Sequence, residues 1–234
     1  MQIKIIFDSS AIDKRFATGW GFSCLIDERI LFDAGEKPLS KNIESAGAKV
    51  SDIKSVVISH DHWDHTGGLW ELLELNPRIK VYACPKFSRK FKEKVRFYGS
   101  ELFEVDKFTK IEENIYLTGE IAGRYGFRYM PEQALVLRTQ NGLTIITGCA
   151  HPGIIKIIKE VKRNLPGDIY LVLGGFHLAF SSSRQLRSII KKFRELKVRK
   201  AAPTHCTGES QIKSFQEEYQ SDFFKIAAGM ELEV

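Results

Sequence analysis

Three of the six histidines in this chain fall within one hexapeptide, residues 60–65, which reads His60-Asp61-His62-Trp63-Asp64-His65. The segment before it, residues 53–59, is short and mostly apolar and predicts a buried strand. The segment after it begins Thr66-Gly67-Gly68 and continues with apolar residues, which predicts the start of a helix. The hexapeptide is therefore expected to lie on a strand-to-helix connection.

Four side chains of the hexapeptide are good metal ligands: His60, His62, Asp64 and His65. Imidazole nitrogens and carboxylate oxygens suit borderline divalent metals such as zinc. On an extended backbone, residues two apart face the same way, so His60 and His62 can share one ion. The other two donors turn toward a second point as the chain enters the helix. A polar loop with chance histidines is the alternative, but the donor spacing favours two neighbouring metal positions.

The other three histidines, His151, His177 and His205, are far apart in sequence but share one local context. Each follows a predicted strand and stands beside glycine or a turn. The carboxyl ends of strands are where α/β folds place their chemistry, so we expect these three residues to converge on the hexapeptide. A lone histidine would more simply be a surface or core residue, and it is the shared context that favours a joint role.

Hydrophobic patterning predicts an α/β chain with two similar halves. Predicted strands cover residues 2–7, 21–27, 29–35, 53–59, 80–83, 114–118, 134–139, 143–147, 169–173 and 200–203. Predicted helices cover residues 39–46, the segment from 66, 85–97, 154–164, 183–196 and 209–219. At 234 residues and 43% hydrophobic content, without a linker, we expect one domain over residues 1–234, with halves at about 1–120 and 121–234. Two strand-rich stretches alternating with helices predict two sheets packed face to face, with helices outside.

The formal net charge is +6, and much of the basic excess lies in residues 86–94 and 184–200. Such a balance can attract nucleic acid or phosphorylated small molecules. Because these charges alternate with apolar residues at helical spacing, we interpret them as solvated helix faces and expect no nucleic acid partner. The expected partner is a small-molecule substrate, which could carry phosphate. The sequence leaves the oligomeric state open, a homo-oligomer included.

The chain has no apolar run long enough to cross a bilayer, and its first residues alternate like a strand and lack a signal peptide's apolar segment. We therefore expect a cytoplasmic protein that does not associate with membranes. Its four cysteines are scattered without a C-x-x-C pair, which indicates free thiols.

Taken together, these motifs resemble the metallo-β-lactamase superfamily, whose pattern is H-x-H-x-D-H with further histidines downstream. The resemblance runs from residues 19–23 through 31–35 and the hexapeptide to His205. It implies an αββα four-layer sandwich of two mixed sheets, with helices on both outer faces and a two-metal site between the sheets. Residues 148–151, 174–178 and 204–208 are similar to a narrower branch. That branch includes archaeal enzymes that join a dihydropterin methyl diphosphate to a ribofuranosyl-aminobenzene phosphate.

The resemblance also implies a ligand set. His60 and His62 would hold the first metal ion, while Asp64, His65 and His205 would hold the second. We prefer His151 as the third ligand of the first ion. His177 is the alternative ligand or a residue of the substrate pocket, and with Asp64 it is a candidate catalytic residue.

Asp33 and Cys149 complete the expected site. By resemblance, Asp33 would not bind metal but would orient a metal-binding histidine. Cys149 stands where the common hydrolases carry an aspartate that bridges two metals. It is either an additional ligand or a small buried hydrophobe, and a thiolate there would make the site weaker or sensitive to oxidation. Cys206 points away from its neighbour His205 if the segment is extended, which suggests a structural role.

The resulting functional prediction is a metal-dependent hydrolase with two divalent ions, zinc first, with iron or manganese as alternatives. The ions would activate water toward an ester, lactone or phosphoryl group. An alternative is the transferase just described, which would release diphosphate. A third hypothesis is a metal-binding redox protein without hydrolysis.

Overall fold

The computed structural model describes all 234 residues, which divide into two compact units. The first unit comprises residues 1–106 and 226–234, and the second comprises residues 107–225. Each unit contains one large sheet of mixed strand direction and its own helices. None of these helices combines the length and the apolar character that a bilayer crossing demands.

The first unit contains a seven-stranded sheet in the order β15-β1-β2-β3-β4-β5-β6. Its strands are β1 (Gln2–Phe7), β2 (Ser23–Ile26), β3 (Ile30–Phe32), β4 (Ser55–Val57), β5 (Lys80–Ala83), β6 (Leu102–Glu104) and β15 (Glu231–Glu233). Its helices are α1 (Leu39–Ser45), α2 (Trp63–Thr66), α3 (Leu69–Leu75) and α4 (Arg89–Phe97). Strands β3 to β6 run parallel, whereas β15, β1, β2 and β3 pair antiparallel.

The helices of this unit pack on the sheet through regularly spaced apolar residues. Helix α1 contributes Leu39 and Ile43, one turn apart, to a core that also holds Leu31 and Val56 of the sheet. Both Val56 and its neighbour Val57 are fully buried, so the sheet is covered on both faces. This burial is typical of parallel strands and explains why the segment before the hexapeptide is continuously apolar.

The second unit contains a six-stranded sheet in the order β14-β13-β12-β11-β8-β7 and a separate two-stranded hairpin. Its strands are β7 (Thr109–Glu112), β8 (Ile115–Leu117), β9 (Arg124–Tyr125), β10 (Arg128–Tyr129), β11 (Leu135–Thr139), β12 (Gly142–Thr147), β13 (Ile169–Gly175) and β14 (Lys200–Thr204). Its helices are α5 (Ile154–Asn164), α6 (Ser183–Glu195) and α7 (Glu209–Tyr219). Strands β12, β13 and β14 run parallel.

Aromatic packing beneath this sheet fixes the segment that carries His177. Phe176 is almost fully buried, and its ring centroid lies 5.4 Å from that of Phe193 and 5.5 Å from that of Phe215. These two partners belong to α6 and α7, so both helices anchor the end of β13. The exposed His177 therefore follows directly on a residue that is anchored in the core.

The predicted strands and helices agree with the structure in most places. The bounds of β1, β5, α5 and α7 are as predicted. The helix expected from Thr66 begins instead at Leu69, because the hexapeptide ends in a helical turn of its own, α2. His62 O accepts hydrogen bonds from the amides of His65 and Thr66, at 3.1 and 3.0 Å, and these bonds close that turn. The short strands β6, β7, β9, β10 and β15 were not predicted, since two to four residues carry too little periodicity.

Candidate metal centre

The hexapeptide follows β4 in the first unit, and three of its four donor residues are buried. His60 and His65 have no exposed surface, and Asp64 is 5% exposed. Asp64 and His65 lie in α2, so they leave the chain in a different direction from His60 and His62. The two pairs of donors thus lie on either side of the start of this helical turn, and the rings of His60 and His65 approach to 4.2 Å between centroids.

The buried carboxylate of Asp33 is linked to one member of each donor pair, directly to His65 and through the Ser59 hydroxyl to His60. Asp33 Oδ1 accepts a hydrogen bond from the Ser59 amide at 2.6 Å, and Oδ2 accepts one from the Ser59 hydroxyl at 2.7 Å. Asp33 Oδ2 also lies 2.7 Å from His65 Nδ1, and the Ser59 hydroxyl lies 2.8 Å from His60 Nδ1. The carboxylate is fully buried and directly follows β3, with a left-handed φ of 56°.

These contacts determine which imidazole nitrogens face the candidate metal positions. Because the Ser59 hydroxyl donates its proton to Asp33, it can only accept a proton from His60 Nδ1. His65 Nδ1 likewise donates to Asp33. Both imidazoles therefore present Nε2, and not Nδ1, as the ligand atom. The hydrogen bond between Asp33 and His65 is the contact expected of a residue that orients a metal-binding histidine. Ser59 has the same effect on His60, although the sequence analysis did not identify it.

The same carboxylates change the acidity of His65. Burial lowers the pKa of His65, but the nearby Asp33 and Asp64 carboxylates outweigh it and raise the pKa to about 10. The metal-free imidazole is accordingly protonated at neutral pH. A metal at Nε2 would take the place of that proton.

Distances within the hexapeptide fit two metal ions. Two ligand atoms of one tetrahedral zinc ion lie about 3.3 Å apart, given metal–ligand bonds of about 2.0–2.1 Å. His60 Nε2 lies 3.1 Å from His62 Nδ1, and His65 Nε2 lies 3.5 Å from Asp64 Oδ2. Each pair thus has the spacing that two ligands of one zinc ion would have.

In the second unit, the other three histidines follow neighbouring parallel strands at one edge of the sheet. Thr147 pairs with Gly174, and Gly175 pairs with Thr204, so β12, β13 and β14 end side by side. The donor atoms of Cys149, His151 and His177 all lie within 4.8 Å of one another. His205 follows β14 and approaches β13 closely: a Cβ added at Gly175 would lie 3.2 Å from the His205 ring. The structure thus brings these predicted residues together within this unit.

Backbone strain is concentrated at this sheet edge. Ala150, His177 and His205 have φ values of 60°, 52° and 51°, in the left-handed region that costs non-glycine residues about 1 kcal/mol or more each. Such conformations persist where the surroundings impose them, and they are common at functional sites. They turn the chain sharply after each strand and so direct the histidines along the edge.

Glu132 holds the loop that carries Cys149 and His151. Its fully buried carboxylate accepts hydrogen bonds from the amides of Cys149, Ala150 and His151, at 2.9, 2.8 and 2.7 Å. Glu132 was not predicted from the sequence as part of the site. An acidic residue just before the apolar strand β11 was the available signal, because a buried carboxylate needs several donors.

Cys206 contacts His177, contrary to the expected geometry of its segment. The extended conformation assumed for residues 205 and 206 is wrong, since His205–Thr207 form a short 3-10 helix. Burial raises the pKa of the Cys206 thiol, but hydrogen bonds with the Cys149 and His177 side chains bring it well below its usual value. The hydrogen bond to Cys206 in turn raises the pKa of His177, against the effect of burial. The buried Cys206 sulfur thus favours the protonated form of the His177 imidazole.

Comparisons with known proteins agree with this arrangement. Residues 23–205 match the family model of the metallo-β-lactamase superfamily. The chain is 28% identical to the 7,8-dihydropterin-6-methyl-4-(β-D-ribofuranosyl)-aminobenzene-5'-phosphate synthase of Methanocaldococcus jannaschii, over 95% of this chain and 92% of the relative. It is 29% identical to an uncharacterized protein of the same organism, over 88% of this chain and 91% of the relative.

Solved structures extend the similarity to the fold. Tm1679, a metal-dependent hydrolase of the β-lactamase superfamily, superposes with a TM-score of 0.85 at 32% identity, over 100% of this chain and 99% of that chain. The metallo-β-lactamase fold protein YhfI of Bacillus subtilis superposes with a TM-score of 0.69 at 12% identity, covering 99% of each chain, which shows the fold alone. The αββα fold class predicted from the sequence is confirmed.

Proposed function

The chain belongs to the metallo-β-lactamase superfamily, and on this premise we propose that it is a metal-dependent hydrolase acting on an ester, lactone or phosphoryl bond of a small molecule. The observation that carries the proposal is the pair of imidazoles whose Nδ1 atoms are hydrogen-bonded to Ser59 and Asp33, which makes Nε2 the ligand atom of both rings. Metal-binding histidines almost always donate their second ring N–H to a carboxylate, carbonyl or water in this way. A panel assay of phosphodiester, lactone and simple ester substrates on zinc-loaded protein tests the proposal.

We assign two divalent ions, zinc first, to six ligands. The first ion would be held by His60, His62 and His151, and the second by Asp64, His65 and His205. The nitrogen-rich set suits zinc and also iron or manganese. When bound, such ions would polarise the scissile group and lower the pKa of a water molecule.

The side chains around these ligands would then orient the reaction. Asp33 and Ser59 fix the ring positions of His65 and His60, and Glu132 fixes the loop of His151. We propose His177 as the proton donor to the leaving group, because its donor atom lies within 4.8 Å of those of Cys149 and His151 and the hydrogen bond with Cys206 raises the pKa of its imidazole. Asp64 would orient the attacking water in addition to acting as a ligand.

A transferase is the second candidate function. It would join a dihydropterin methyl diphosphate to a ribofuranosyl-aminobenzene phosphate and release diphosphate. It is supported by the synthase of Methanocaldococcus jannaschii, whose similarity covers 95% of this chain. Measuring diphosphate release with and without the acceptor separates the two functions, because a hydrolase needs water alone.

We predict two tightly bound metal equivalents per chain. Four donors in the hexapeptide form two pairs, and each pair already has the spacing of two ligands on one ion. Elemental analysis after zinc loading and removal of excess metal is expected to give a ratio near two. A ratio of one or less would contradict the two-ion assignment.

The His177→Ala variant is expected to retain its metal while turnover falls by roughly ten- to ten-thousand-fold, the range for a lost general acid. The pH dependence of kcat should change as well, since the titrating group is gone. A variant that loses one metal equivalent would instead identify His177 as a ligand. Replacing Ser183, at the start of α6, by alanine gives a control for changes outside the site.

A further inference from the structure

An exposed hairpin, residues 124–129, stands beside the histidines of the second unit. Its sequence is Arg124-Tyr125-Gly126-Phe127-Arg128-Tyr129. Strands β9 and β10 are joined by the two residues Gly126 and Phe127, and Gly126 has a φ of 58°, as the first position of a type II′ turn requires. All three aromatic rings are exposed, and Phe127 is fully so. Folding alone does not require aromatic residues at these exposed positions.

The base of the 124–129 hairpin is attached to the loop that carries His151. Ile121 and Glu132 exchange backbone hydrogen bonds at 2.9 and 3.1 Å, and the Glu132 carboxylate binds the His151 amide. Gly123 packs directly on this loop, because a Cβ there would lie 2.9 Å from the His151 carbonyl carbon. The hairpin therefore has a defined position relative to His151.

The strand register separates the hairpin side chains into two faces. Tyr125 pairs with Arg128, and Arg124 pairs with Tyr129, and directly paired residues point to the same face. The Tyr125 ring contacts the rings of His151 and His177 edge-on, with centroids 5.6 and 6.2 Å apart. The Tyr129 hydroxyl donates instead to Glu120 Oε1, at 2.8 Å. Tyr125 and Arg128 thus share the face toward the histidines, and Arg124 lies on the other.

We infer that Tyr125 and Arg128 form a substrate subsite that binds an aromatic ring bearing a phosphate or similar anionic group. This inference rests on the proposed function, because it assigns the part of the substrate that is not cleaved. An exposed tyrosine ring offers a stacking surface, and a guanidinium pairs with phosphate oxygens in a planar, bidentate geometry. Arg124 carries the same charge on the same hairpin, but it lies on the face that Tyr125 and Arg128 do not share.

The experiment measures ligand binding without turnover. Naphthylmethylphosphonate carries both the ring and the anion, and a hydrolase does not cleave its C–P bond. Methylphosphonate lacks the ring, and naphthylmethanol lacks the anion. Their Kd values are measured by isothermal titration calorimetry on the zinc-loaded full chain at one ionic strength, for wild type and for the Arg128→Gln, Tyr125→Ala and Arg124→Gln variants.

Arg128→Gln is expected to weaken naphthylmethylphosphonate binding by about ten-fold, the loss of one charge-assisted hydrogen-bonded pair. Tyr125→Ala should weaken both ring-bearing ligands, by about five-fold. Arg124→Gln should change each Kd by about two-fold or less, as expected for a general charge effect. These substitutions are on exposed positions, and circular dichroism checks that the fold is retained.

Equal effects of Arg128→Gln and Arg124→Gln would overturn the inference, since binding would then depend only on net charge. So would an Arg128→Gln variant that binds naphthylmethylphosphonate like wild type. The proposed function is tested separately, by turnover of the phosphodiester, lactone and simple ester panel. Binding that depends on Arg128 without any turnover would refute the hydrolase function and support the subsite. Turnover together with binding that does not depend on Arg128 would support the hydrolase function and refute the subsite.

Discussion

The His62→Ala variant is expected to lose catalytic turnover by about three orders of magnitude or more while its fold remains intact. His62 Nδ1 lies 3.1 Å from His60 Nε2, and the imidazole is one of only two hexapeptide donors assigned to the first ion. Unlike His60 and His65, it is not fully buried, so its removal leaves no large cavity. Turnover, zinc content and the circular dichroism spectrum are measured on the same preparation.

Asp61→Ala is the matched control for His62→Ala. Asp61 precedes His62 in the hexapeptide. Its carboxylate accepts a hydrogen bond from the Ser88 backbone amide at 2.9 Å. It is assigned no metal, so zinc content and turnover should stay near wild type. A His62→Ala variant that loses its helix and strand signal would show that the metal is structural, and one that keeps its turnover would remove His62 from the site.

The Asp33→Asn variant is expected to bind zinc about 10- to 100-fold more weakly, although Asp33 is not assigned as a ligand. The carboxylate is the common acceptor for Ser59 and His65, and an amide can present only one oxygen to these donors. The metal-free variant should also be less stable by about 3 kcal/mol, because the buried His65 imidazole loses its charged partner. Competition with a chromophoric chelator measures the affinity, and urea unfolding measures the stability.

Asp27→Asn provides a comparison for the loss of a carboxylate outside the site. Asp27 Oδ1 also accepts a backbone amide, from Gln2 at 2.9 Å, but it lies in the turn between β2 and β3. Its zinc affinity should equal that of wild type. The zinc affinity of Ser59→Ala should lie between those of Asp33→Asn and Asp27→Asn. This variant removes the hydrogen bond to His60 Nδ1 but keeps the one between His65 and Asp33. If Asp33→Asn binds zinc as tightly as wild type, the orienting role is wrong.

The sequence alone predicted the fold class and most of the elements. Long periodic segments such as α5 were predicted at the correct positions. The four buried residues of α5 are spaced three or four positions apart, which fits a helix and does not fit the alternation of a strand. The hexapeptide was recognisable because its four donors are close in sequence, and their local spacing is nearly their spatial spacing. The same locality puts Asp64 and His65 on the helical turn α2 and His60 and His62 before it.

The tertiary structure decided which distant residues support these donors. The Asp33 contacts with Ser59 and His65 join residues 26 and 32 positions apart, and the Glu132 contacts with Cys149 and His151 join residues 17 and 19 positions apart. The face of the 124–129 hairpin that carries Arg128 likewise depends on a cross-strand register. Hydrogen bonds of this kind leave no periodic trace in a sequence, because each depends on where two separate segments meet, and only the folded chain determines that.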